Sequence, residues 1–260
     1  MNLSVLIGTF NRRHILARTL PTLLAQDLPA DEYEIVIVDD GSTDGTAGWL
    51  ESLGEPRIRV LTQPNQGHPA ALNTAIQAAR GELVLIVDDD IVCPPGLLRT
   101  HTDIHQRHDG VVMGPLEVHP EARRTLAGLY TQLLDEGYRA TAQGLAPDLR
   151  DETYFAANCS ARRRMLLELG SLDTTLPRSW DWDMGKRMRE AGIAFWFEHG
   201  ALAHELYSKS TATLLWKDAW RMGCDEWLLT RRHPEARRNS ILGVVRYGSA
   251  GARVASSAAI

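Results

Sequence analysis

Three adjacent carboxylates, Asp88-Asp89-Asp90, end a short apolar run from Leu83 to Val87. Like charges at this spacing repel one another, and a divalent cation or a raised pKa is what relieves them. Hard cations such as Mg²⁺ or Mn²⁺ take one or two carboxylates and complete their shell with water and phosphate oxygens, so the triplet points to a phosphate-bearing ligand. A second pair, Asp39-Asp40, closes the run Glu34 to Val38 and precedes Gly41-Ser42. A carboxylate there accepts hydrogen bonds from a base or a sugar, or equally from the amides of its own turn. A third group is Trp180-Asp181-Trp182-Asp183, ahead of a stripe formed by Met184, Met188 and Ala191. That spacing puts Asp181 on the inward side at a helix start, where a general base is wanted, and sets Asp183 opposite Arg187 at i,i+4 as a surface ion pair.

Histidines offer a weaker signal. His101, His105 and His108 fall at helical spacing, but Thr102 stands where a His-Glu-x-x-His metal motif needs glutamate, and the three read as a solvated helix face. His204 follows a strand expected over Ile193 to Phe197 and has two readings, a metal ligand or a hydrogen-bonded structural histidine.

The elements that position these groups follow an alternating rhythm through about residue 115. Nearly continuous apolar runs at Leu3 to Ile7, Glu34 to Val38, Ile58 to Leu61 and Leu83 to Val87 predict strands covered on both faces. Helices are expected between them, at about 12 to 26, 44 to 53 and 68 to 79, with Asp44 capping the second. Such βαβ units make a mostly parallel sheet, whose ligands sit beyond the carboxyl ends of the strands. Those ends are Thr9-Phe10-Asn11-Arg12, Asp39-Asp40-Gly41, Gln63 to Gly67 and Asp88 to Asp90. Further on, helices are expected at about 121 to 135, 161 to 169 and 181 to 191, with a short strand near Tyr154 to Ala157. A Trp- and Leu-rich helix is expected over Thr211 to Arg232, before a small-residue tail from Ser240. Its stripe of Trp216, Trp220 and Trp227 suits core packing, a contact with a second copy, or a membrane surface meeting a lipid-linked acceptor.

Composition narrows the field. The chain has 260 residues, 44% hydrophobic and 23% charged, ordinary values for a folded domain with a real core. With 28 Lys and Arg against 33 Asp and Glu, the net charge of −5 argues against a general nucleic-acid binder. The three cysteines, Cys93, Cys159 and Cys224, are too few for a four-thiolate site and read as buried thiols of a reducing compartment. The first residues lack the layout of a secretory signal, and no apolar run reaches about 18 residues, so a cytoplasmic protein, at most peripheral to a membrane, is expected. There is no G-x-G-x-x-G after the first strand, no P-loop and no G-x-S-x-G, which removes the anchors for dinucleotide, P-loop and serine-hydrolase readings.

Taken in order, Val5 to Arg12, the Ile-Val-Asp-Asp-Gly-Ser-Thr-Asp run ending at Asp44, Asn65-Gln66-Gly67 with Asn73, Asp88 to Asp90, and Asp181-Trp182-Asp183 resemble the family 2 glycosyltransferases. Asn158 and the segment from Arg162 to Asp173 extend the likeness. The resemblance covers about residues 3 to 205 and implies an inverting enzyme of GT-A fold: α/β, Rossmann-like, a mostly parallel central sheet flanked by helices, with a smaller acceptor-side lobe. It implies a domain over 1–210, with a nucleotide-binding half at about 1–115 and an acceptor half at about 116–210, then a helical extension over 211–260. A nucleoside-diphosphate sugar of UDP, GDP or dTDP would donate to a saccharide, lipid-linked or other hydroxyl acceptor. By the same resemblance Thr9 and Asp40 contact the base, Phe10, Asn11 and Arg12 line the nucleotide, and Asn65 and Gly67 flank the ribose. Asp88 to Asp90 correspond to the family's metal-binding D-x-D for Mn²⁺ or Mg²⁺, with Asp88 and Asp89 also on the donor. Asp181 falls at the catalytic base and His204 at a further metal or diphosphate contact. Four positions depart from the usual pattern: Gly8 replaces Pro, Phe10 replaces Tyr, Val87 stands where many members have the first Asp of D-x-D-D, and Trp180 replaces Glu. Two other readings are a non-catalytic nucleotide-sugar-binding subunit and a sugar-phosphate nucleotidyltransferase. The latter needs a glycine-rich basic loop that Thr9 to Arg12 does not supply.

Overall fold

The computed structural model describes residues 2–122, 156–176 and 178–206, with isolated positions 216, 220, 223, 224, 227, 228 and 231 beyond them. Most of the helix expected at 121 to 135, Tyr154, and the tail from 240 lie outside the described residues.

The alternation holds. β1 (Leu3–Thr9), α1 (Arg13–Leu24), β2 (Tyr33–Asp39), α2 (Thr46–Ser52), β3 (Ile58–Thr62), α3 (His68–Ala78) and β4 (Leu83–Ile86) succeed one another as the apolar runs predict. There follow β5 (Ile91–Val92), α4 (Leu97–Arg107), β6 (Val111–Met113), β7 (Leu116–Val118), β8 (Cys159–Arg162), α5 (Arg163–Glu168), α6 (Trp180–Glu190), β9 (Phe195–Phe197) and β10 (Ala203–Glu205). The strand expected near 154 to 157 is displaced: Ala157 lies in a turn and the strand is β8.

The main sheet has the order β3-β2-β1-β4-β8-β6-β9, with β8 antiparallel to both its neighbours and the other pairings parallel. A second sheet, β5-β10-β7, makes a smaller layer beside the acidic turn. In β1, Leu3, Val5 and Ile7 point to one face, where they meet Leu16 and Leu20 of α1, and Leu6 points to the other, against Ala71, Leu72 and Ile76 of α3. β2 repeats the pattern with Ile35 and Ile37 on the first face and Val36 and Val38 on the second. Both faces are covered, which is why the strands read as unbroken apolar runs.

Two helix faces differ from their sequence reading. His101 is fully buried and His105 is 4% exposed, so they are not a solvated face. Asn158, at φ 60°, donates its amide to Pro115 O and Ala201 O, leaving Oδ1 to accept from His101 Nε2 at 3.0 Å. His101 Nδ1 must then accept from Ser160 Oγ at 2.8 Å, and Ser160 accepts from His105 Nε2 at 2.9 Å. That chain makes His101 the neutral acceptor at Nδ1, and burial first of all pushes both imidazoles down to about 4. Polar residues at helical spacing mark a buried face here because β8 supplies matching partners. The second difference is Asp183, which is buried and ion-paired to Arg187 at 2.7 Å rather than at the surface. Arg187 also donates to Leu169 O and Ser171 O, clamping the turn after α5. Met184 and Met188 are fully buried as predicted, but Ala191 is exposed past the helix end. Cys93 and Cys159 are buried thiols; Cys224 is exposed.

Candidate active site

The chain winds outward from β1 through β2 to β3, then returns across the sheet through α3 to place β4 on the other side of β1. The strand order reverses between β1 and β4, and a crevice opens at such a switch point beyond the carboxyl ends. Thr9 ends β1 and Asp88 to Asp90 follow β4, and Thr9 Oγ1 donates across the gap to Asp89 Oδ2 at 2.7 Å. Arg12 lies beside both inner carboxylates, with Nε 3.0 Å from Asp89 Oδ1 and Nη2 2.5 Å from Asp90 Oδ2. Loss of water pushes the Asp89 carboxyl up to about 7, against the pull of Arg12 and the Thr9 hydroxyl. The three aspartates are thus distinct. Asp89 and Asp90 turn inward, at 7% and 9% side-chain exposure, whereas Asp88 is 43% exposed.

Carboxylates also shape the loops around the crevice. Asp40, buried at the end of β2, accepts from Gln63 Nε2 at 2.7 Å, from Gln66 N at 2.9 Å and from Gly67 N at 2.8 Å, and so holds the loop that leads into α3. Gly41, at φ 82°, lies where a Cβ would meet Asn65 N at 3.0 Å, so only glycine lets the two loops come this close. Asn11, at φ 54°, accepts from Thr43 N at 2.7 Å while its own N–H donates to Ser42. Asp44 is not the N-cap of α2, which is Gly45; it bridges two helix starts by accepting from Arg13 N and Thr46 N, each at 3.1 Å. Phe10, Asn11 and Asn65 are exposed on this rim, Phe10 at 44%. Among the predicted nucleotide contacts, Thr9, Arg12, Asp40, Gly67 and Asp89 are therefore buried or half-buried within the rim, while Phe10, Asn11, Asn65 and part of Asp88 stay open to solvent.

Asp181 stands on the opposite bank, in the first turn of α6, where the helix dipole favours negative charge. It is half-buried, and its Oδ1 accepts from Trp182 N at 2.7 Å. Cys159 lies on β8 opposite Ile86 of β4, and burial first of all pushes its thiol up to about 12, with Asp181 and Asp88 adding to the shift. His204 lies on β10 in register with Val92, and Leu206 N donates to Asp90 O at 2.7 Å, which brings this strand against the acidic turn. The His204 ring meets His119 edge-on at 6.3 Å. Among the described residues, no three His, Cys, Asp or Glu side chains converge on a metal position.

Sequence reasoning missed two participants. His68, the first residue of α3, has Nε2 3.5 Å from Asp88 Oδ1 and its ring 5.7 Å from that of Trp180. Its only sequence signal is its place directly after Gly67. Thr19 donates to Asp89 O at 2.7 Å from the middle of α1, and no local pattern marks it.

The model of the glycosyl transferase family 2 matches residues 4–170, well over half the chain. The chain belongs to glycosyl transferase family 2. Among the relatives of this family 2 chain is an uncharacterized glycosyltransferase of Nostoc sp. (strain PCC 7120), 36% identical over 136 residues, which are 51% of this chain and 42% of the relative. A poly(ribitol-phosphate) beta-glucosyltransferase of Bacillus spizizenii is 32% identical over 122 residues, 45% of this chain and 19% of the relative. The chain thus spans well under half the length of these relatives. Among solved structures, Staphylococcus aureus TarS 1–349 aligns with a TM-score of 0.60 at 21% identity, covering 79% of this chain and 60% of that one. A mannosyltransferase from Pyrobaculum calidifontis, in complex with GDP-Man and Mn²⁺, aligns with a TM-score of 0.60 at 22% identity, covering 85% and 60%. These neighbours show the GT-A fold.

Proposed function

We propose that this family 2 chain transfers a sugar, with inversion, from a nucleoside-diphosphate sugar to an acceptor hydroxyl. The observation that carries the reading is the acidic turn at the β1–β4 switch point, held by Thr9 and Arg12, with His68 reaching from Asp88 to the ring of Trp180, the residue before Asp181. Glycosyl transfer needs a stabilised diphosphate leaving group on one side and a deprotonated nucleophile on the other. Residues 1–115 act as the donor half and 116–210 as the acceptor half.

On the donor side, the exposed ring of Phe10 offers a stacking face for the base, and Asn65 and Gly67 border the ribose. The loop geometry set by Asp40 and Asn11 fixes these contacts before a ligand arrives, which lowers the entropy loss of binding. The donor set suits a divalent cation shared with phosphate oxygens and water better than a closed protein cage, because Asp88 is half-exposed while Asp89 and Asp90 are already tied to Arg12. Asp88 would hold Mn²⁺ or Mg²⁺ together with phosphate oxygens and water, with Asp89 and Asp90 behind it and His204 on the neighbouring β10, and the cation would supply charge neutralisation for the departing diphosphate. Asp181 takes the proton from the acceptor hydroxyl as its oxygen attacks the anomeric carbon from the face opposite the leaving group, so the configuration inverts.

Support for donor chemistry comes from the neighbours' ligands, GDP-Man with Mn²⁺ in one and UDP-GlcNAc in TarS, the latter aligned at a TM-score of 0.59 and 18% identity over 88% of this chain and 67% of that one. Thermal-shift titration with UDP, GDP and dTDP, with and without Mn²⁺, tests the reading. One nucleotide should raise Tm selectively and more strongly with Mn²⁺, since ligand that binds only the folded state stabilises it. No shift with any of the three would overturn it.

A further inference from the structure

Three positions where this chain departs from its family's usual pattern or escaped sequence reasoning meet at one point: Gly8, His68 and Trp180. The His68 ring lies over Gly8, reaches Asp88 with Nε2 at 3.5 Å, and rests against the Trp180 ring at 5.7 Å. A Cβ at position 8 would stand 3.1 Å from His68 Nδ1 and 3.3 Å from both His68 Cε1 and Ala71 Cβ. The backbone of Gly8 is not in the left-handed region, so the atom itself, not strain, is what the site excludes. The proline usual at this position carries that Cβ, and it would displace the ring. Trp180 is 6% exposed and packed in the core, giving His68 a fixed wall that a glutamate there would not.

We propose that His68 is a positioning residue for Asp88, seated by the missing side chain at Gly8 and backed by Trp180. The imidazole aims the one half-exposed carboxylate of the cluster at the cation and diphosphate of the donor, and it joins the donor bank to the helix that carries Asp181. This rests on the donor reading given above. At 3.5 Å the contact is longer than an ordinary N–H···O hydrogen bond, and the seat of the ring over Gly8 is what keeps it within reach of Asp88.

Calorimetric titration of UDP and GDP, each with and without Mn²⁺, tests this on the whole chain and four variants: His68→Ala, His68→Gln, Gly8→Ala and the double variant Gly8→Ala/His68→Ala. With Mn²⁺, His68→Ala should weaken binding of the preferred nucleotide about tenfold, the scale of one hydrogen bond to a charged group. Without Mn²⁺ the affinity should stay within about twofold, because the base and ribose contacts are untouched. His68→Gln, which keeps an N–H at similar reach, should recover most of the loss. Gly8→Ala should weaken Mn²⁺-dependent binding on its own and add nothing to His68→Ala, the coupling expected when two residues act through one contact. Equal losses with and without Mn²⁺, or additive effects of the two substitutions, would overturn the proposal by showing a merely structural role. Unchanged affinity in His68→Ala overturns it alone; no nucleotide binding to the unaltered chain overturns the donor reading and this proposal with it.

Discussion

The two edges of the central sheet hold carboxylates in opposite ways. At the edge where β1 and β2 begin, Glu34 is 1% exposed and accepts from Ser4 Oγ at 2.7 Å, Arg80 N at 2.7 Å and Arg59 Nη1 at 2.9 Å. Burial works to raise its pKa, but these donors outweigh it and hold the carboxyl below its ordinary range. At the edge where the same strands end, Asp89 is pushed up by burial and Asp88 remains partly open beside His68. A buried charge met by three donors serves stability; three adjacent carboxylates that repel one another favour a cation. The contrast separates the fold's needs from those of the reaction within a single sheet.

The comparison can be broken experimentally. The largest effect expected is at the open edge: Asp181→Asn should fold and bind nucleotide as before while transfer falls about 10³-fold, the usual scale for a general base. Transfer at the original rate in a steady-state assay would remove Asp181 from the reaction. Next come paired substitutions at the two edges. Glu34→Ala should lower stability by about 3 kcal/mol in urea denaturation, because it strands the Arg59 guanidinium, the Ser4 hydroxyl and the Arg80 amide, yet leave nucleotide affinity alone at low temperature. Asp88→Asn should do the reverse, moving Tm little and weakening Mn²⁺-dependent nucleotide binding about tenfold. If both substitutions act on stability alone, the distinction between edges fails. The smallest and most gradual effect is with pH. His101 and His105 are neutral in the fold and titrate at about 4, against 6.5 for an imidazole in water, so the unfolded chain binds protons first as pH falls. Their contribution is complete above about 6.5 and is lost towards pH 4, on the order of 2 kcal/mol for each ring. Thermal denaturation followed from pH 7 to 4 should show that slope, and His105→Gln should flatten it.

Much of this was legible in the chain itself. Apolar runs bounded by polar turns located β1 to β4 and α1 to α3 within a few residues, because parallel strands covered on both faces leave a strong local signature. The residues after each strand led directly to Thr9, Asp40 and Asp88. What stayed hidden depends on partners far away in sequence. Ser160, 55 residues from His105, turns an apparently solvated helix face into a buried one. Arg187 looked like a surface partner of Asp183 because nothing nearby in sequence announces the carbonyls of Leu169 and Ser171. His68 gained meaning only once Gly8, 60 positions earlier, was seen beneath it.

Cys159 gives the crevice a built-in reporter. Its sulfur is buried on β8 opposite Ile86 of β4, with a pKa pushed up to about 12, chiefly by burial, so alkylating reagents find almost no thiolate there, while exposed Cys224 takes the label freely. Any motion that unseals the floor between donor and acceptor banks would announce itself as a second, slower labelling event, readable by mass spectrometry without altering a single residue.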